Sequence, residues 1–458
     1  MRESPLPYSG EARDPAESGH VVTKQLQLDQ RSTPGAGADS RALPSAAELR
    51  GAARLAVEGV RKVTQLAGAV HGGIQQVATL NALGSPNAAG GLAGLSYRVV
   101  EAVTGLVGHS LDALLGLLPD GDPQRPGSAR SQALLSALNG VLGDWLESSA
   151  NPLAIRMQLL HRGRPLKEDQ TLALPGVEPG RVKLAVLLHG LCMHPQHWSA
   201  PADGQEEGAA PAETPGAPGP MEEMLTELGY CSLHLHYNSG RSIAGNAADL
   251  AEMLERLVKK WPGQIDSIVL IGHSMGGLVA RGACALAEQT GQGWLSRTHK
   301  LVCLGSPHQG APLERAGHGL EQLLAALPLV APFARLARLR SAGITDLRHG
   351  SLQSATDGPT VLQPPAGLHL YLLAASRSLQ PAVASRRRPR SDGLVPVASA
   401  LGEHRQRARS LAVPASRKAL LYGMHHLQIL YHPTVSEQVR GWLLEPSGLG
   451  VALSDSDR

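Results

Sequence analysis

Ser267-Ile268-Val269-Leu270-Ile271-Gly272-His273-Ser274-Met275-Gly276-Gly277-Leu278-Val279-Ala280 decides how the rest of this chain is read. Ser267 to Ile271 form a short apolar run of the kind buried inside a sheet. Leu278-Val279-Ala280 opens a helix-compatible stretch. Between them, Gly272 to Gly276 fit G-x-S-x-G, in which a serine sits on a sharp strand-to-helix turn. Such a turn strains the serine backbone and brings neighbouring main chain very close, so the positions two before and two after it must be small. It presents Oγ of Ser274 above the sheet and aims the backbone N–H of Met275 into the same space. The pentapeptide alone is a weak signal in a chain with 52 glycines. A near-copy, Gly108-His109-Ser110-Leu111-Asp112, lies inside a helical stripe and lacks the second glycine. The strand before and the helix after distinguish Ser274.

Outward from this stretch, short apolar runs alternate with helical patterns. The runs are Val182–Leu188, Ser232–His236, Leu301–Leu304 and Leu368–Ala374. Leu250, Met253, Leu254 and Leu257, at offsets 0, 3, 4 and 7, make one face of a helix. Alternation of this kind predicts an α/β fold, with a doubly wound, mostly parallel sheet over residues 182–445. Residues 199–220, rich in Ala, Pro, Gly and Glu, read as a surface loop. Residues 310–366 fall between two core strands, where a cap or lid would sit, and Leu320, Leu323, Leu324 and Leu327 share one helical face.

The chain before 182 has a different character. Residues 1–45 are polar and rich in Pro, Gly and Ser, and are expected to be disordered. Residues 46–181 read as a helical region with a short β segment. Val99, Val103, Leu106, Val107, Leu111, Leu114 and Leu118 form one stripe, and Leu134, Leu135, Leu138, Val141, Leu142, Trp145 and Leu146 another. Ile155, Met157 and Leu159 alternate with polar residues as a strand does, and His161-Arg162-Gly163-Arg164-Pro165 turns the chain. Residues 446–458 read as a flexible tail.

Composition excludes several classes. Among 458 residues, Lys+Arg 42 against Asp+Glu 39 leaves a net charge of +3, with no excess for nucleic acid. Four cysteines are too few for a disulfide scaffold and read as reduced thiols. No secretory h-region follows Met1, and Glu101, His109 and Asp112 interrupt the most apolar stretch, so the expected location is cytoplasmic.

A serine nucleophile needs a general base, an orienting carboxylate and an oxyanion hole. Leu187-Leu188-His189-Gly190-Leu191 ends the first core strand, and the Leu191 N–H is expected to join that of Met275 in the oxyanion hole. His189 is expected to brace that loop. In this strand-helix order the acid and base follow the serine. Asp392, in Asp392-Gly393-Leu394-Val395-Pro396, is preferred over Asp346 and Asp357, which fall in the cap. Of the late histidines His404, His425, His426 and His432, His426 is preferred with His425 second, since chemistry does not separate adjacent histidines. Arg386, Arg387 and Arg388, just before Asp392, are a solvated charged loop or a basic border to the site.

Leu188-His189-Gly190-Leu191, Gly272 through Arg281, Leu304-Gly305-Ser306-Pro307-His308-Gln309-Gly310, Ser391 through Pro396 and His426, in that order, resemble the α/β-hydrolase superfamily. The likeness is to its lipase-like group, which includes bacterial lipases and GPI inositol-deacylase-like serine hydrolases. The resemblance implies Ser274 as nucleophile, Asp392 as acid, His426 as base and the Leu191 and Met275 amides as oxyanion hole, with no cofactor or metal. It implies a serine carboxylic-ester hydrolase acting on an ester or lipid, with peripheral contact with lipid interfaces as a further expectation. Acyl transfer, thioester hydrolysis and a non-catalytic interaction protein of the same fold are the alternatives, because the superfamily does not fix the substrate. The N-terminal helical half matches no feature of that group.

Overall fold

The computed structural model describes residues 129–166, 180–199, 218–310, 341–349, 362–379 and 391–446. In chain order they form helix α1 (Ala129–Ser148), strands β1 (Gln158–His161), β2 (Arg164–Pro165) and β3 (Arg181–Leu188), helix α2 (Pro220–Glu227), strand β4 (Tyr230–His236) and helix α3 (Ile243–Lys260). Strand β5 (Gln264–His273), helix α4 (Met275–Thr290), strand β6 (Thr298–Leu304), helix α5 (Ala342–His349) and strand β7 (His369–Ser376) follow. Helix α6 (Val397–Ala400), strand β8 (Lys418–Tyr422) and helix α7 (Pro433–Leu444) complete the described elements. Among the described residues, no helix is long and apolar enough to cross a membrane.

The strands make an eight-stranded sheet of order β2-β1-β4-β3-β5-β6-β7-β8. β1 pairs antiparallel with β2 and β4; every other pairing is parallel. The continuous apolar runs read from the sequence are the central strands, which are buried on both faces. In β3, Leu184, Val186 and Leu188 point into the core shared with α1, α3, α4 and α5. Ala185 and Leu187 alternate with them into the opposite core, shared with α2 and α7. The stripe Leu250, Met253, Leu254, Leu257 on α3 is buried. Ser242 Oγ accepts the Gly245 N–H at 3.0 Å at the start of that helix, and Lys259 and Lys260 stand in its last turn, where cations suit the helix dipole.

Two parts of the architecture differ from the sequence reading. The expected boundary at 181 does not coincide with an edge of the sheet. β1 joins the sheet through β4, and Leu138, Val141, Leu142 and Leu146 of α1 lie in the sheet's own core. The β segment also falls later than the alternation suggests, because Ala154 N–H bonds Asn151 O and turns the chain before Gln158. The expected turn is a tight one, with Arg162 at φ 49° and Gly163 at φ 74°. Of the predicted cap, only residues 310, 341–349 and 362–366 belong to the described residues. α5 is built into the core: Ile344 and Leu347 are buried, and Ser341 Oγ donates to Gly140 O at 2.9 Å. The stripe Leu320–Leu327, the stripe Val99–Leu118, Asp357, Arg386–Arg388 and both chain ends lie outside the described residues.

Candidate active site

Ser274 forms the turn between β5 and α4 at φ 53° and ψ −120°, a conformation that costs a non-glycine residue on the order of 1–3 kcal/mol and persists only where its surroundings impose it. Those surroundings are main chain. A Cβ on Gly272 would lie 2.4 Å from Gly277 N, and one on Gly276 would lie 2.6 Å from the carbonyl oxygens of Leu188 and His189. The Ser274 N–H donates to Leu304 O at 2.8 Å, which ties the turn to the end of β6.

The loop after β3 runs directly against this turn. A Cβ on Gly190 would sit 3.1 Å from Ser274 Cβ. Among the described residues, neither the Leu191 nor the Met275 N–H has a hydrogen-bond acceptor. The loop is held from three sides. His189 Nδ1–H donates to Gly190 O at 2.8 Å, its ring stacks on Tyr237 at 4.4 Å, and Tyr237 Oη–H donates to His189 O at 2.7 Å. Burial lowers the His189 pKa to about 3, so this imidazole is neutral and a brace. Cys192, at φ 60°, donates its N–H to Ser239 Oγ at 3.0 Å. Helix α1 closes the third side: a Cβ on Gly140 would lie 2.3 Å from Cys192 Sγ.

Asp392 and His426 meet at the carboxyl ends of β7 and β8. His426 Nδ1–H donates to Asp392 Oδ2 at 2.6 Å, and both side chains are buried. The other carboxylate oxygen, Oδ1, accepts the N–H groups of Leu394 at 2.9 Å and Val395 at 2.8 Å. Three donors therefore fix the plane of the carboxylate. The His426 N–H also donates to Asp392 O at 3.1 Å. With Nδ1 protonated, Nε2 is the bare nitrogen. His425 faces other partners: its N–H donates to Gln428 Oε1 at 2.9 Å, and its Nδ1 accepts the Gln428 N–H at 3.4 Å. Asp346 is engaged elsewhere, accepting the Ile243 N–H at 2.8 Å at the start of α3.

One neighbour of the site escapes the sequence reading. His273 Nε2–H donates to His426 O at 3.0 Å, and the two rings lie 4.6 Å apart. Burial holds His273 well below the usual imidazole range, so it supports the His426 backbone as a neutral group. Its place next to Ser274 was the only available signal. The four cysteines are free thiols, and burial raises the pKa of Cys192 and Cys303 to about 12 and of Cys231 to about 11. Among the described residues, no group of three His, Cys, Asp or Glu could hold a metal ion.

If His426 is the base, His426→Ala should lower kcat on the order of 10⁴-fold and His425→Ala by less than about threefold. The reverse order, measured on one soluble ester, would transfer the role to His425.

A mostly parallel sheet of this strand order, with a strained serine between β5 and α4, is the α/β-hydrolase fold. Residues 235–356, from β4 to just past α5, match the family described as PGAP1-like alpha/beta domain. No curated protein matches the chain. Similar solved structures include the mature lipase BlEst2 of Bacillus licheniformis, at 15% identity and a TM-score of 0.36 over 63% of this chain and 97% of that one. An alpha/beta hydrolase superfamily protein of Enterococcus faecalis shares 16% identity at a TM-score of 0.35, over 59% of this chain and 93% of its own. The esterase Pf2001 of Pyrococcus furiosus shares 17% at 0.33, over 57% and 82%.

Proposed function

We propose that this chain is a serine hydrolase of carboxylic esters, acting through an acyl-enzyme on Ser274. The observation that carries the reading is the Asp392–His426 pair: a buried carboxylate, held by two amides, fixes the tautomer that leaves Nε2 bare. In the proposed reaction, Nε2 takes the Ser274 proton as Oγ attacks the ester carbonyl. Asp392 stabilises the imidazolium that results. The Leu191 and Met275 N–H groups, which have no acceptor among the described residues, receive the developing oxyanion. His426 then protonates the departing alcohol and activates the water that releases the acid.

Labelling with a fluorophosphonate probe, with the modified peptide located by mass, tests the nucleophile. A p-nitrophenyl ester series of increasing chain length then reads the acyl preference. Absence of label at Ser274 in the folded protein would end the reading. Formation of a new ester when an alcohol is added would move it from hydrolysis to acyl transfer.

A further inference from the structure

Arg281 is a buried charge to which ester hydrolysis assigns no task. It lies on α4, two helical turns beyond Ser274, and is 5% exposed. A buried guanidinium is costly unless its donors are satisfied. One terminal nitrogen of Arg281 donates to His308 Nδ1 at 2.8 Å, and the other to Leu362 O at 2.6 Å; neither partner is a carboxylate. A guanidinium only donates, so Nδ1 of His308 is the bare nitrogen and its proton sits on Nε2. Burial and the guanidinium together hold His308 well below the usual imidazole range, which keeps it an acceptor. Burial lowers the Arg281 pKa to about 10, so the side chain stays charged at neutral pH.

His308 belongs to the loop 305–310 that follows β6, and this loop touches every segment of the proposed triad. At its start, a Cβ on Gly305 would lie 3.3 Å from Cε1 and Nδ1 of His426, so the loop backbone is the floor under that ring. The residue before it, Leu304, accepts the Ser274 N–H. At its end, Ser399 Oγ accepts the Gln309 N–H at 3.1 Å and donates to Gly310 O at 2.8 Å. Ser399 stands on α6, which begins five residues after Asp392. The Arg281–His308 contact is a side-chain tie from the nucleophile's helix to this loop.

We propose that Arg281 is a positioning residue: through His308 it fixes the loop 305–310 and thereby the placement of the His426 ring relative to Ser274. The inference rests on the triad reading above. A displacement of about 1 Å between reacting groups costs on the order of 10²-fold in rate. Arg281→Met should therefore lower kcat by about that factor, with KM changed less than about threefold. Rates are taken per active site, titrated with a fluorophosphonate, so a smaller folded fraction does not count. Arg281→Lys keeps the charge but not the planar fork, and should be as slow as Arg281→Met. His308→Asn supplies an amide oxygen to the same guanidinium and should run near the parent rate, whereas His308→Leu should not.

A parental kcat per site in Arg281→Met would overturn the proposal, as would rescue by Arg281→Lys, which would make the charge and not the fork responsible. Should Arg281→Met fail to fold, the His308 pair still decides: equal rates for Asn and Leu overturn it. Ser274→Ala run alongside separates the two failures. If that variant keeps its activity, the triad reading falls and this inference with it; if it is inactive while Arg281→Met is unimpaired, only the tie falls.

Discussion

Ser274→Ala is expected to lower kcat for a soluble ester on the order of 10⁴–10⁶-fold while leaving the fold intact. The loss is large because the rest of the proposed machinery serves one oxygen atom. Without Oγ, the bare Nε2 of His426 has no proton to take and no acyl-enzyme forms. What remains is the oxyanion amides and substrate binding, which by themselves leave on the order of 10³–10⁴-fold over water. Stability should hold for two reasons. Ser274 Oγ makes no hydrogen bond among the described residues, so its removal strands no partner. Alanine at φ 53° is as strained as serine, so the turn is neither relieved nor worsened. The check is kcat on a p-nitrophenyl ester together with the melting temperature. Residual activity within about tenfold of the parent, against the expected loss, would remove Ser274 from the mechanism.

The parts of this molecule legible in sequence are those whose signal is local. The turn at Ser274 is read from neighbours in the chain: an apolar strand, small residues at Gly272 and Gly276, then a helix. The structure supplies the reason, since a side chain at Gly272 or Gly276 would collide with main chain. The central strands are legible because burial on both faces leaves an unbroken apolar run in each of β3 and β5, Leu184 to Leu188 and Ile268 to Ile271. β8 is not legible, because all five of its residues are half-buried and no clear period results. The boundary at 181 misleads for a related reason. Composition changes there, but β1 and α1 are recruited into the sheet by non-local pairing with β4 and by packing, which composition does not record.

Asp392 and His426 lie between these extremes. Chain order and resemblance point to both, yet nothing in the segment His425-His426 tells one imidazole from the other. The structure brings one of them to the carboxylate. His426 is anchored to Asp392 by its backbone as well as its ring, while His425 is bound to Gln428. Such a distinction depends on a contact across 34 residues and on the turn at Gln428–Leu430. Arg281 and His308 are similar: the sequence shows them only as members of longer motifs, and their pairing appears when α4 and the loop after β6 come together.

Lowering the pH from 7 to 5 should strip stability from this protein far faster than its carboxylates account for. Among the described residues, burial depresses eight imidazoles, those of His189, His194, His197, His234, His236, His273, His308 and, on β7, His369. Five of them gather where β3 and β4 end: the His194 and His236 rings are 4.8 Å apart, those of His189 and His236 6.2 Å. Glu222 is the carboxylate that faces this group, 3.4 Å from His234 Nε2. In the unfolded chain each histidine takes a proton near pH 6.5; in the folded chain each resists until a lower pH. Between those limits the unfolded state binds more protons, so stability falls as pH falls. Above about pH 7 both states are neutral at these sites and stability is flat in pH. Burial lowers His189 to about 3 and His236 to about 4. At pH 5 each lies about 1.5 units into its window, a loss on the order of 2 kcal/mol per residue and 4 for the two. That is a large share of the roughly 5–15 kcal/mol that holds a typical protein folded. The other six act in the same direction. Ordinary carboxylates have their midpoints near pH 4–4.5, below this window. Urea denaturation at pH 8, 7, 6 and 5 reads the slope directly, and His236→Gln should flatten it by up to one proton. Unfolding free energies at pH 5 and pH 7 that agree within about 1 kcal/mol would mean the cluster is charged or solvated in the native state. The loop after β3 should be the first casualty, because His189 and His194 flank Leu191 and must stay neutral to pack against Tyr237 and His236.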